Sequence, residues 1–343
     1  KEEEYKEFYK HVTNDWNEPL DKIHYKAEGT QEFSALMYIP GMVPFDYNQR
    51  DMKYGLSLYV KRIFIMDHCA KLVPQYLRFV KGLVDSSDLP LNVSRELLQQ
   101  DRRIEAIQKA LVSKILRTLQ TKLDKKREDY EKVWEKFGQT IKEGIASDHS
   151  NKDKVTKLSL FKSSHSEKWT SLKEYIDRMD SKQKDIYYIT GESMTQIKDC
   201  AYLERLKEKK YEVLYLIDPV DEWVMNSLTE FEGKKLISVT KDNLELDSEE
   251  EKKEKEATKK DQESKFKPLT ETIQKLLDSE IKEVKLSDRL VDSPACLVAS
   301  QNDPSAHMEK MMEAMGQSMP KSKRILELNP NHPILEKMTA LSD

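Results

Sequence analysis

Apolar positions recur along this chain at two different periods, and each period marks a different kind of element. The runs "EFSALMYIP" (32–40) and "LSLYVKRIFIM" (56–66) concentrate aromatic and β-branched residues between Pro or Gly boundaries, which is the composition of strands. The stretch between them, "GMVPFDYNQRDMKYG", has the punctuation of a loop. After Pro90, "SRELLQQDRRIEAIQKALVSKILRTLQTKL" places Leu97, Ile104, Ile107, Leu111, Ile115 and Leu119 at spacings of three, four and seven. That pattern predicts an amphipathic helix of many turns. Strands followed by such a helix predict an α/β domain over about the first third of the chain.

A helical connector follows, with Trp134, Phe137 and Ile141 on one face and a break near Gly144. Next come "IYYIT" (186–190), a helical stretch "MTQIKDCAYLERLKEKK" and "YEVLYLI" (211–217). Strand, helix and strand in that order predict a parallel βαβ unit and a second, smaller α/β domain. Residues 247–265 hold 14 charged residues in 19, with Glu249 and Lys253, Glu251 and Lys255, and Glu256 and Lys260 each four apart. Those pairs support a solvated helix, and a flexible tether fits the composition equally. Beyond it, "VKLSDRLVDSPACLVAS" and "KRILELNP" predict strands, and "HPILEKMTALSD" begins a helix.

Composition narrows the function. Lys plus Arg number 58 against 62 Asp plus Glu, a net charge of -4, so no field gathers nucleic acid or an anionic membrane. Cys69, Cys200 and Cys296 lie far apart, with no CxxC pair, which suits ordinary thiols in a reducing, cytoplasmic compartment. No apolar run approaches a membrane span, and the opening "KEEEYKEFYK" is charged where a signal peptide is apolar. The chain is read as a soluble piece, and its start at Lys suggests a fragment. Of nine glycines no two are closer than six residues, so neither GxGxxG nor GxxxxGK[ST] can be written. The seven histidines form no HExxH and no cluster with cysteine at ligand spacing, and no metal site is expected.

Two patterns carry candidate chemistry. Arg95 and Gln99 in "NVSRELLQQ" are four apart, on one face near a helix start, where an arginine fork suits a phosphate oxygen. A solvated polar face explains the same spacing. Met308, Met311, Met312 and Met315 fall at i, i+3, i+4 and i+7 after an Asp-Pro start and before Gly316. Such a flexible, polarizable stripe adapts to many unfolded sequences if exposed, and packs in a core if not.

The run "FVKGLVDSSDLPLNVSRELLQQ" resembles, nearly residue for residue, the middle domain of the heat-shock protein 90 chaperones. "NDWNEPL", "LYVKRIFIMD", "IYYITGES", "DPVDEW", "EFEGK" and "LNPNHPILEKM" recur in the family's order, so the resemblance covers essentially the whole chain. "PFDYNQRDMKYGLSLYV" is more similar to the bacterial branch than to the eukaryotic cytosolic forms.

The resemblance implies an α/β (α+β) architecture of two α/β sandwich middle subdomains joined by a helical connector, then a partial α+β C-terminal domain. The boundaries expected are 1–124 for the large middle subdomain, 125–165 for the connector, 166–246 for the small middle subdomain, 247–265 for a charged linker or helix, and 266–343 for a C-terminal domain without its final dimerisation helices. It further implies a dimeric chaperone whose ATP and Mg are bound mainly by an N-terminal ATPase domain that this chain does not contain. Arg95 matches the arginine that reaches the γ-phosphate from the middle domain, with Gln99 its helper. The chain alone is expected not to hydrolyse ATP.

Client contacts are implied at Trp16, at Trp223 with Glu222 and Asn226 on the same short helix, and at the helix carrying Met308, Met311, Met312 and Met315. Here methionines replace the family's usual mixture of aromatic and aliphatic residues. The partners implied are unfolded or partly folded clients, the protein's own ATPase domain, a second copy in the complete protein, and co-chaperones, with no nucleic acid and no membrane. This shorter chain is expected to be a monomer or weak associate. A non-catalytic interaction scaffold is the alternative function.

Overall fold

In a computed structural model that describes residues 2–29, 31–45, 47, 49, 51–90, 102–242, 244–317 and 322–342, the two predicted periods resolve into a mixed α/β fold. The chain divides into two units, Lys1–Leu160 and Phe161–Asp343. In the first, strands β1 (Asp21–Ala27), β2 (Phe33–Ile39), β3 (Leu56–Val60), β4 (Ile63–Cys69) and β5 (Lys81–Ser86) form a sheet in the order β1-β2-β5-β3-β4. The run 56–66, expected as one strand, is a hairpin. Lys61 and Arg62 take φ of 50° and 66°, the left-handed pair of a two-residue turn that Asn-Gly ordinarily signals. Without that dipeptide the turn has no mark in the sequence.

Helix α1 (Glu2–Thr13) lays Tyr9 against Tyr38, with ring centroids 5.2 Å apart. Helix α2 (Arg102–Lys125) buries Ile104, Ile107, Leu111, Ile115 and Leu119, the predicted stripe. Leu97, Arg95 and Gln99 lie outside the described residues. Helix α3 (Arg127–Ser147) buries Trp134, Phe137 and Ile141 as expected, and Phe137 stacks on Phe79 at 4.6 Å. The predicted break at Gly144 is absent from this described helix. A Cβ there would lie 2.7 Å from the Tyr76 ring, so the glycine admits a packed ring instead of ending the helix.

In the second unit, β6 (Leu160–Ser163), β7 (Thr170–Ser171), β8 (Ile186–Thr190), β9 (Val213–Leu216), β10 (Glu230–Phe231) and β11 (Lys234–Ser238) form a sheet in the order β10-β11-β8-β9-β6-β7. Strands β8 and β9 pair in parallel, as the crossover requires. The crossover itself is not one helix but three short turns, α4 being elsewhere (Lys152–Leu158) and α5 (Leu172–Arg178) preceding β8. They are α6 (Met194–Lys198), a 3-10 turn over Ala201–Leu203 and α7 (Glu204–Lys209), closed by Lys210 at φ 58°. Helix α8 (Asp221–Ser227) follows β9.

The charged run is helical: α9 (Glu249–Leu276) starts in a capping box of Ser248 and Glu251 and buries only Phe266 and Leu269. Its start is pinned by Lys209, which bonds Glu251 at 2.8 Å and Asp247 at 2.9 Å. Burial would raise the Asp247 carboxyl, but hydrogen bonds from Lys255 and Lys209 hold it at about 2. Strands β12 (Ile281–Leu286), β13 (Ala295–Val298) and β14 (Arg324–Leu328) form a third sheet in the order β12-β14-β13, with α10 (Ala306–Ala314) before β14 and α11 (Pro333–Ser342) after it. Phe266 and Leu269 pack with Leu328 and Leu335 at this end.

Arg289 and Glu327 are both buried, and the guanidinium donates to Glu327 at 2.8 and 3.0 Å. It also donates to the carbonyls of Val239 at 2.5 Å and Lys241 at 2.7 Å. Arg289→Met is expected to lower stability by about 3–5 kcal/mol, because Glu327 keeps an uncompensated buried charge. Urea unfolding monitored by circular dichroism measures this. Arg289→Met/Glu327→Met should recover part of the loss, and a double variant no better than the single would refute the buried-charge account.

Candidate functional site

Five of the side chains singled out in the sequence border one cavity of about 300 Å³ in the second unit: Glu222, Trp223, Asn226, Met308 and Met312. Its floor comes from the sheet, through Tyr188 and Thr190 of β8 and Ser238 of β11. Helix α8 forms one wall and α10 the other. Trp223 is 41% exposed and Asn226 is exposed, whereas Glu222 is buried. One short helix thus presents an indole to solvent and turns a carboxylate inward.

That carboxylate fixes the opposite wall. Glu222 Oε1 accepts a hydrogen bond from Ser305 Oγ at 2.7 Å, and Ser305 Oγ accepts the Met308 amide at 2.9 Å. Ser305 is the N-cap of α10, so Glu222 orients the cap that starts the methionine helix. Burial first, and the Glu222 carboxylate next, push the Tyr188 phenol up to about 12. It therefore remains neutral on the cavity floor.

The methionine helix has no buried residue. Met308, Met311 and Met312 are half-buried and Met315 is 54% exposed. Met311 and Met315 do not border the cavity, and they continue the stripe beyond it. Gly316 follows at φ 76°, a left-handed stop that suits glycine. The stripe is therefore neither sealed in a core nor fully exposed, and only its Met315 end stands open to solvent.

Trp16 belongs to the first unit and is 82% exposed. Met42, Val43 and Phe45 are exposed there too, on a segment that begins where a Cβ on Gly41 would strike the Glu18 carbonyl. Arg95 and Gln99, the candidate phosphate-facing pair, fall outside the described residues. Burial raises all three thiols above the ordinary range, Cys296 to about 12, so none is activated as a nucleophile. Sequence reasoning missed Tyr188, Ser238 and Ser305. Only Ser305 carried a signal, a serine placed to cap the methionine run.

A sheet floor between an indole helix and a half-buried methionine helix belongs to a mixed α+β fold, and the comparisons give its family. The family model described as Hsp90 protein matches residues 1–343, and the chain belongs to that family. Chaperone protein HtpG of Bdellovibrio bacteriovorus is 58% identical over 342 residues, covering 99% of this chain and 55% of the relative. Chaperone protein HtpG of Geobacter metallireducens is 51% identical over 342 residues, covering 99% of this chain and 53% of the relative. The chain thus spans about half the length of the curated relatives it matches. The middle domain of a heat shock protein from Plasmodium falciparum superposes with a TM-score of 0.62 at 31% identity, over 70% of this chain and 95% of that one. Among the described residues no helix is long and apolar enough to cross a membrane.

Ser305→Ala removes the cap and should raise amide hydrogen exchange across Met308–Met312 about fivefold, the effect of losing roughly 1 kcal/mol. Glu222→Ala should raise it in the same stretch, and Glu222→Gln, which keeps an acceptor, should raise it less. Exchange unchanged in Glu222→Ala would remove Glu222 from its positioning role.

Proposed function

We propose that this chain is the middle and C-terminal portion of an ATP-dependent molecular chaperone that holds unfolded or partly folded polypeptides. The observation that carries the proposal is that half-buried Met308 and Met312 border the same cavity as the exposed Trp223. An unfolded client offers apolar side chains in no fixed order. Unbranched thioethers re-pack around different shapes at little cost, and an indole supplies a rigid apolar face. Trp223, Asn226, Met308, Met311, Met312 and Met315 contact the client, and Glu222 acts through Ser305 by holding α10 in place. Trp16, in the other unit, offers a second exposed contact. Membership of the Hsp90 family and likeness to chaperones of the HtpG type support this assignment.

In the complete protein, ATP with Mg is held mainly by an N-terminal domain. Arg95 donates to the γ-phosphate when that domain docks, with Gln99 positioning the fork. A guanidinium at that oxygen stabilises charge that grows as the phosphoryl group transfers. The complete protein is a cytoplasmic homodimer on this reading, open to co-chaperones. Its ATPase cycle, not this portion alone, drives release and recapture of clients.

Two measurements test the assignment. In the full-length protein, Trp223→Ala should cost roughly 1–3 kcal/mol of client affinity, read as weaker suppression of light scattering by a chemically denatured substrate, with the unfolding midpoint kept. Full protection by the variant would reject the site. Arg95→Ala should leave nucleotide affinity nearly unchanged while slowing hydrolysis by at least about tenfold. Wild-type turnover would leave a non-catalytic scaffold as the function.

A further inference from the structure

A second cavity, of about 400 Å³, lies on the other side of α10. Its walls are mainly apolar, built from Ile189 of β8, Ile197 of α6, Leu297 of β13 and Ala299. Thr190 and Ser305 border both cavities, so the capped end of α10 is the partition between them. Volumes of this order suit one bulky organic group.

The polar groups around it specify what that group carries. Lys310 pairs with Glu192 at 3.0 Å, and Arg324 forms an ion pair with Glu309, so the charges at the rim are balanced. No net field favours an ionic occupant. Nδ1 of His307 is buried and, among the described residues, has no hydrogen-bond partner. Arg324 is already engaged, its Nη2 by the Glu309 carboxylate and its Nη1 by the Pro304 carbonyl at 2.7 Å. The imidazole nitrogen donates in one tautomer. Buried donors of this kind are costly unless an acceptor reaches them.

An apolar body with a neutral carbonyl beside it meets both demands, and a bulky side chain on a peptide backbone has that form. We propose that this cavity takes a large neutral apolar side chain, aromatic or branched aliphatic, from the same extended client that crosses the methionine helix. The adjoining peptide carbonyl accepts from His307. The inference rests on the client-binding function proposed above and deepens it. α10 becomes a ridge between two sockets, one walled by Trp223 and the methionines, the other by Ile189, Ile197 and Leu297. At the rim of the second socket Lys310 pairs with Glu192, and their side chains are 63% and 53% exposed. Such a pair contributes about 0–1 kcal/mol and is a weak barrier to entry.

The test uses the full-length protein with labelled Ile and Met methyl groups, titrated with N-acetylphenylalaninamide and with N-acetylalaninamide. The phenyl compound should shift the Ile189 and Ile197 methyls saturably and bind at least roughly tenfold more tightly than the alanine compound, the difference expected for burying an aromatic ring. Ala299→Leu fills the socket, and Ala306→Phe, at an exposed position on the rim, covers it without touching the core. Both should abolish the Ile shifts and leave those of Met308 and Met312. Shifts at the methionines alone would overturn this inference while leaving the client site standing. Equal binding of the two compounds at Ile189 and Ile197 would overturn it as well, and silence at both sets of methyls would remove the client site with it.

Discussion

One side chain holds the site's two halves in register. Arg289 bonds the carboxylate of Glu327 on β14 and the carbonyls of Val239 and Lys241 just past β11. Through it, the sheet that floors the first cavity is tied to the sheet that carries α10. The neighbouring backbone continues the join, with the Ala299 amide donating to Thr240 and the Asp242 amide to Ala299. Glu204 makes a comparable tie from α7, accepting the amides of Val291, Asp292 and Ser293. Apolar packing alone tolerates sliding. Buried polar groups of fixed geometry do not, because each misplacement leaves a desolvated donor or acceptor without its partner.

Against that rigid frame the cavity lining is soft. The floor holds neutral groups, Tyr188, Thr190 and Ser238, and the walls carry thioethers and an indole. Nothing there is a nucleophile or a metal-binding set. On the function proposed above, Arg95 serves a phosphate and the cavity serves polypeptide, and the two tasks ask for different kinds of precision, geometric for the phosphoryl oxygens and adaptive for the client.

The long elements were legible because period alone encodes them. Ile104 to Leu119 and Trp134 to Ile141 bury as their spacing requires, and the parallel pairing of β8 with β9 follows from crossover length. What escaped was set by backbone conformation or by distant packing. Lys61 and Arg62 turn a hairpin without glycine, Gly144 stays helical because a Tyr76 ring occupies the space beside it, and 194–210 breaks into turns. At the site, the methionine stripe and Trp223 were visible as residue types, but their meeting was not. Glu222 was expected at a client-facing position. The structure turns it toward Ser305, 83 residues away, and spacing along one helix says nothing of such a partner.

That separation has a consequence for how the protein comes into being. The tryptophan wall is complete once α8 has formed, yet its opposite wall waits on Ser305 and the strand that carries Glu327. A chain emerging from synthesis therefore presents the Glu222 carboxylate 83 residues before the Ser305 hydroxyl that satisfies it exists.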